Sequence, residues 1–201
     1  IIDQVYMGQV LQAGAGQAPA RQVAIAAGLP YSTPCTTINK VCGSSLKAAM
    51  VAATEIMAGK SNVVIAGGME SMSQAPHFIR GAKRGDEISF AELTGILSHD
   101  GLKDAYDGSM MGITGETIAK EADISRSESD RYALRSHTLS DSAWENGWLA
   151  EEVVSIDELE RDEGIRIDTS IEGLAGLRNV FKDDGQVTAG NASQASDGGS
   201  A

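Results

Sequence analysis

The 201-residue sequence contains only two cysteines, Cys35 and Cys42, and only 4% aromatic residues. Two cysteines are too few for a disulfide framework, and no Cys-x-x-Cys or histidine-rich spacing predicts a metal site. Free thiols are typical of a reducing compartment. We therefore expect a cytoplasmic location, with the mitochondrial matrix and the peroxisome as alternatives, and no bound metal.

Basic residues are also scarce, since 16 Lys and Arg against 28 Asp and Glu give a formal net charge of −12 at pH 7. Nucleic acids and anionic membrane surfaces attract clustered Lys and Arg, so this composition argues against both as partners. No apolar run approaches the ~20 residues that a membrane-spanning helix needs. A small anionic ligand stays compatible with the charge, because one well-placed cation can bind it.

The hydrophobic residues, 42% of the sequence, follow an alternating α/β pattern in its first third. Residues 2–8 predict a short strand, and the β-branched segment 36–42 predicts a buried one. Between Ser44 and Gly59, apolar residues recur at three- and four-residue steps and predict an amphipathic helix. A third strand is predicted over residues 62–68. A strand–helix–strand unit of this kind indicates a parallel sheet with a right-handed crossover.

The rest of the sequence is less regular and rich in turns. A capping box at Ser125 and Glu128 predicts the start of a long helix that ends near Gly147. The small residues near the carboxyl terminus predict a loop. We expect an α/β core over residues 1–70, an inserted helical loop subdomain over residues 71–185, and a return toward the core sheet over residues 186–201.

Cys42 is predicted to lie between a strand and the first turn of a helix. Free backbone N–H groups and the helix dipole favour a thiolate there by ~0.3–1 kcal/mol. An ordinary thiol is only a few per cent ionised at neutral pH, so a fast nucleophile needs a base as well. Local features therefore leave Cys42 either a nucleophile or a small buried residue in a tight turn. Cys35 is interpreted as a structural thiol.

The three histidines are the candidate bases. His137 fits the polar or packing positions of an amphipathic helix. His77 and His99 lie in segments that predict loops, and both a structural and a catalytic role stay open for them.

Four segments, taken in order, closely resemble the thiolase family of acetyl-CoA acetyltransferases and 3-ketoacyl-CoA thiolases: NKVCGSSLKA, VVIAGGMESMSQAPH, MGITGETIAK and VTAGNASQASDGGSA. The resemblance covers nearly the whole chain and implies a layered, thiolase-like α/β fold. It implies that Cys42 is the acyl-accepting nucleophile. Coenzyme A and acyl-CoA would be substrates, with no permanently bound cofactor.

By the same resemblance, the segment from residue 71 onward is similar to the family's loop subdomain, which binds coenzyme A. Arg166 would meet the anionic nucleotide end of the coenzyme, although an arginine paired with neighbouring acids is the alternative interpretation. The coenzyme contacts that the resemblance implies are Leu102, Met111, Arg166 and Ser193.

Two departures from the family pattern refine this expectation. Met110 stands where acetoacetyl-CoA-forming members carry a histidine, which favours the broader 3-ketoacyl-CoA type. The family's general-base histidine, second catalytic cysteine and Asn-Glu-Ala-Phe motif have no counterpart here. The resemblance therefore implies an N-terminal half that is incomplete at both ends, inactive alone, and part of a homodimer or homotetramer when complete. The alternatives are an inactive acyl-CoA-binding or scaffold protein and a decarboxylating ketosynthase.

Overall fold

The structure, a computed structural model, describes residues 1–201 and divides into two compact units. The first unit comprises Ile1–Lys103 and Ala195–Ala201, and the second comprises Asp104–Gln194. These boundaries differ from the predicted segments, because residues 71–103 cluster with the first unit. The coenzyme-binding role of residues 71–185 stays a prediction.

The regular elements alternate in type through the first unit and are mainly helical in the second. The strands are β1 (Gln4–Gly8), β2 (Cys35–Ile38), β3 (Val64–Ser71), β4 (His77–Phe78), β5 (Thr94–Gly95) and β6 (Asp197–Ser200), and the helices are α1 (Pro19–Ala26), α2 (Ser44–Met57), α3 (Met111–Glu121), α4 (Arg126–Glu145) and α5 (Ile171–Ala175). A π-helical turn, Leu97–Leu102, follows β5.

A four-stranded sheet of order β2-β1-β3-β6 forms the centre of the first unit. β1 pairs in parallel with both β2 and β3, which confirms the predicted parallel core. The loop predicted at the carboxyl terminus holds for residues 187–196, but residues 197–200 form β6, which pairs antiparallel with β3. Small residues allow this pairing, because a Cβ on Gly67 would clash with the carbonyl oxygen of Ser200.

Helices cover both faces of this sheet. Val5 and Met7 pack against α1 on one face, whereas Tyr6 packs against Ala48 and Ala52 of α2 on the other. The alternation follows from the two-residue period of a strand.

The outward side of α2 is apolar. Leu46, Met50 and Met57 are 69%, 54% and 88% exposed, and their spacing places them on one side of the helix. We call these three residues the outer face of α2. In the present chain this face contacts solvent.

The second unit is held together by polar contacts at the start of α4. Ser125 and Glu128 form the predicted capping box. Arg126 then donates from Nε to Asp130 (2.8 Å) and from Nη2 to the carbonyl of Leu177 (3.1 Å). These bonds attach the loop after α5 to α4. No helix of either unit has both the length and the apolar character that spanning a membrane requires.

Candidate active site at Cys42

Cys42 lies in a tight turn between β2 and α2. β2 ends at Ile38, earlier than the predicted strand, because the chain turns at the next residues. The N–H of Val41 donates to Oδ1 of Asn39 (3.0 Å), and Val41 has a φ of +49°. Helix α2 starts at Ser44, as predicted. Cys42 is therefore presented at the amino end of α2, and its side chain is exposed.

The first turn of α2 lies directly against the ends of β1 and β3. A Cβ on Gly8 would lie 2.5 Å from the backbone nitrogen of Ser45, and one on Gly68 would lie 2.8 Å from the Cβ of Ser45. Two glycines are needed here because backbone atoms and the helix occupy the space that larger side chains require. This approach brings Cys42 to the carboxyl edge of the parallel strands.

A cavity of about 770 Å³ opens beside Cys42 within the first unit. Most of its side chains are apolar, and the π-helical turn contributes Leu97 and Leu102. Leu102, a predicted coenzyme contact, therefore lines the same cavity as the predicted nucleophile. The remaining lining comes from Gly8–Leu11, Val41, Ser44–Leu46, Ala66–Glu70, Met72, Gly101 and Gly198–Ala201.

Two carboxylates fix the walls of this cavity. Glu70 accepts hydrogen bonds from the N–H groups of Val10 (2.9 Å) and Leu11 (3.0 Å), which ties the loop after β1 to β3. The carboxylate of Asp197 accepts hydrogen bonds from the hydroxyl and the backbone N–H of Ser73, the latter at 2.9 Å, and from the hydroxyl of Ser71 (3.0 Å). The bonds from Ser73, and then the one from Ser71, hold the pKa of Asp197 below its usual range.

The other predicted coenzyme contacts lie in the second unit. Met111 is the first residue of α3, and Ser193 is exposed. Arg166 is exposed and takes part in no ion pair, so the alternative of an arginine paired with neighbouring acids is wrong. Its N–H donates to Nδ1 of His137 (3.2 Å).

The histidines of the first unit stand apart from the cavity lining. His77 belongs to β4, where a loop was predicted, and His99 pairs with Asp100 (2.6 Å) in the π-helical turn. Neither lines the Cys42 cavity. Cys35, the other thiol, is partly buried and donates to the carbonyl of Thr33 (3.3 Å). No group of His, Cys, Asp or Glu side chains is arranged to hold a metal ion.

Sequence reasoning missed the residues that support the site. Asn39, two residues before Val41, carried a signal, because asparagine side chains commonly bond to the backbone two residues later. Ser44 was read only as the start of the helix. Glu70 carried no local signal, since its partners lie about 60 residues earlier in the chain.

Comparison with known proteins identifies the family to which this chain belongs. The family model described as "Thiolase, N-terminal domain" matches residues 1–201. Among curated relatives, an acetyl-CoA acetyltransferase of Chromobacterium violaceum is 46% identical over all of this chain and 53% of its own length. A mitochondrial acetyl-CoA acetyltransferase of Danio rerio is 44% identical over all of this chain and 49% of its own.

Solved structures agree with the sequence comparison. A thiolase from Ascaris suum, crystallised in complex with coenzyme A, superposes with a TM-score of 0.87 at 38% identity. The match covers 98% of this chain and 52% of the Ascaris chain. The chain thus spans about half the length of the curated relatives it matches. It belongs to the family of thiolase N-terminal domains.

Proposed function

We propose that this chain provides the nucleophilic half of a thiolase, in which Cys42 carries an acyl group between coenzyme A thioesters. The observation that carries the proposal is the exposed Cys42 thiol at the amino end of α2, beside a largely apolar cavity. The family assignment supports the same conclusion. Met110, which replaces the histidine of acetoacetyl-CoA-forming members, favours a thiolase that accepts a range of 3-ketoacyl-CoA substrates over one restricted to acetoacetyl-CoA.

The proposed reaction has two steps. The Cys42 thiolate attacks the 3-keto carbon of a 3-ketoacyl-CoA, and the bond between carbons 2 and 3 breaks. Carbon 2 leaves with the electron pair and takes a proton to give acetyl-CoA. The thiol of a second coenzyme A then attacks the acyl-Cys42 thioester and releases Cys42 and the shortened acyl-CoA. Backbone N–H groups near the start of α2 are suited to stabilise the oxyanions.

The coenzyme would be held by Leu102, Met111, Arg166 and Ser193. The location of Leu102 in the Cys42 cavity supports its assignment. The unpaired guanidinium of Arg166 supports a contact to phosphate, which arginine binds through two parallel hydrogen bonds.

Coenzyme A and acyl-CoA are treated as substrates, with no resident cofactor. We further propose a homodimer or homotetramer in a reducing, cytoplasmic compartment, consistent with two free thiols.

The test uses the natural polypeptide that contains this sequence, incubated with acetoacetyl-CoA and then analysed by intact and peptide mass spectrometry. We expect an acetyl group on Cys42. Cys42→Ser should lower thiolysis by at least about 10³-fold while coenzyme A binding, measured by calorimetry, persists.

Cys35→Ser is the matched control, because Cys35 is the other thiol of the chain and does not line the cavity. It should keep both acylation and turnover. Substantial turnover by Cys42→Ser would reject the proposal. Coenzyme binding without any acyl-cysteine in the natural protein would favour a non-catalytic acyl-CoA-binding protein, and a requirement for a malonyl thioester would favour a ketosynthase.

A further inference from the structure

The residue before Cys42 has an unfavourable backbone conformation. Val41 has a φ of +49°, in the left-handed region that β-branched residues rarely adopt. Valine is more restricted there than most residues because two heavy atoms branch from its Cβ. Such conformations persist only where the surrounding structure holds them. Val41 is 48% exposed, so dense packing around its side chain does not hold it.

Two side chains hold the turn, together with backbone bonds from the N–H of Gly43 to the carbonyl of Lys40 and from the N–H of Ser44 to that of Val41 (both 3.1 Å). Oδ1 of Asn39 accepts the N–H of Val41 (3.0 Å), and Nδ2 of Asn39 donates to the carbonyl of Val10 (3.3 Å). Asn39 therefore links the turn to the loop after β1. Oγ of Ser44 accepts the N–H of Lys40 (2.8 Å) and donates to the carbonyl of Val41 (2.6 Å).

Ser44 is well placed for this role because it is itself fixed. It is 5% exposed, and Gly8 lies close beneath it: a Cβ on Gly8 would lie 2.8 Å from the Cβ of Ser44. The turn is thus bonded to the loop after β1 through Asn39 and to α2 through Ser44. The N–H of Val41 donates to the Asn39 side chain, and the carbonyl of Val41 accepts both the hydroxyl and the backbone N–H (3.1 Å) of Ser44.

We propose that Asn39 and Ser44 are positioning residues for acyl transfer, which hold Val41 in its left-handed conformation and thereby fix Cys42 at the start of α2. This inference rests on the proposed function of Cys42. Neither side chain needs to touch the substrate. Each acts through the backbone of Val41.

The test exploits the freedom of glycine, which adopts positive φ without support. In the natural full-length protein, Asn39→Ala should slow acylation of Cys42 by acetoacetyl-CoA roughly tenfold, in line with the usual cost of a left-handed residue. Adding Val41→Gly to Asn39→Ala should recover most of that loss. Ser44→Ala should behave in the same way, with the same rescue.

The rescue separates positioning from a general loss of stability. Acylation is measured per folded molecule, and Asn62→Ala serves as the control because Asn62 is exposed, precedes β3 and makes no side-chain hydrogen bond. Unchanged acylation in Asn39→Ala and Ser44→Ala, with an acylated wild type, would overturn the inference and leave the proposed function standing. A loss that Val41→Gly fails to recover would also overturn it.

A second readout keeps the two proposals distinguishable. The rate of Cys42 alkylation by iodoacetamide is compared with that of Cys35 in the same sample. If the wild type is never acylated, the proposed function fails. In that case the positioning role is judged by this ratio of alkylation rates alone. Asn39→Ala should change the ratio, and adding Val41→Gly to Asn39→Ala should restore it. An unaltered ratio would reject the positioning role.

Discussion

Arg166 carries an exposed guanidinium with no acidic partner, in a chain that has 28 Asp and Glu residues. Its backbone is fixed by the bond from its N–H to His137, whereas its side chain makes no hydrogen bond within the chain. An arginine in this state can bind a phosphate without first breaking an ion pair. A local guanidinium can thus bind an anion even though the net charge of the whole chain is −12.

Arg166→Gln should weaken coenzyme A binding about tenfold, as expected for the loss of a hydrogen bond to a charged group. Binding of an acyl-pantetheine that lacks the nucleotide should not change. Calorimetry with both ligands measures the difference. Arg135→Gln is the control, since Arg135 is exposed and also unpaired. Equal weakening for both ligands would contradict a phosphate contact.

At the scale of elements, two aspartates of α4 pair with arginines in contrasting environments. Asp130 is 2% exposed and accepts from Nε of Arg126 (2.8 Å) and from Nδ2 of Asn191 (3.0 Å). Asp141 pairs with Arg161 near the surface, where both side chains are about a third exposed. Buried and exposed pairs differ in energy because water screens the exposed one.

Asp130→Asn should destabilise the protein by about 3 kcal/mol. Whichever way the new amide is oriented, its NH₂ group would face a hydrogen-bond donor, either Arg126 or Asn191. Asp141→Asn should cost less than about 1 kcal/mol. Chemical unfolding monitored by circular dichroism measures both. Similar shifts for the two variants would contradict the larger contribution expected of the buried pair.

β6 is held at the sheet edge by Asp197, and this gives it a defined pH dependence. The pKa of Asp197 is lowered in the folded chain by its serine partners, so its stabilising contribution is complete above the usual value of 3.8. The contribution is lost as the pH falls from there through the folded value. Amide exchange of β6, corrected for intrinsic rates, should accelerate over that acidic range.

Asp197→Ala should accelerate β6 exchange several-fold at pH 7 and remove its acid dependence. Glu87→Ala is the control, because Glu87 is exposed and makes no hydrogen bond. An unchanged acid profile in Asp197→Ala would show that another group controls β6.

Local signals predicted the elements that depend on neighbouring residues. The capping box at Ser125 and the apolar period of α2 both have short-range causes, and each occurs where predicted. The early end of β2 reflects a hydrogen bond from the N–H of Val41 to Oδ1 of Asn39, which competes with the strand ladder. β6 depends on distant partners in β3, which composition alone cannot reveal.

The site, too, could be predicted only where its features have local causes. The position of Cys42 at the start of α2 followed from local pattern, and its role from family resemblance. The cavity did not follow, because it combines the ends of three strands, a π-helical turn and the loop after β1. The conformation of Val41 is invisible in a sequence that places a β-branched residue there.

For the whole molecule, net charge and exposed apolar surface act in opposite directions. The charge of −12 opposes association at pH 7, whereas the outer face of α2 favours it. The net charge falls toward zero as the pH approaches the sequence pI of about 4.6, so the electrostatic opposition to association weakens there.

The 201-residue chain, studied alone, should therefore self-associate most strongly near pH 4.6 and least at pH 7 and above. Leu46→Gln with Met57→Gln should reduce light scattering at the acidic maximum. Substituting Val154, which is 84% exposed in the second unit, serves as a control for general exposure. Equal effects of both changes would rule out a specific contribution of α2.

The antiparallel pairing of β6 also dictates an order of events during translation. β1, β2, α2 and β3 leave the ribosome first, and the entire second unit follows before β6 is made. The nascent chain therefore carries Cys42 beside an unpaired edge of β3 throughout that interval, an edge of the kind that chaperones shield. Gly198–Ala201, the last part of the cavity lining to be made, completes the cavity beside Cys42 only after the other elements of the fold have been synthesised.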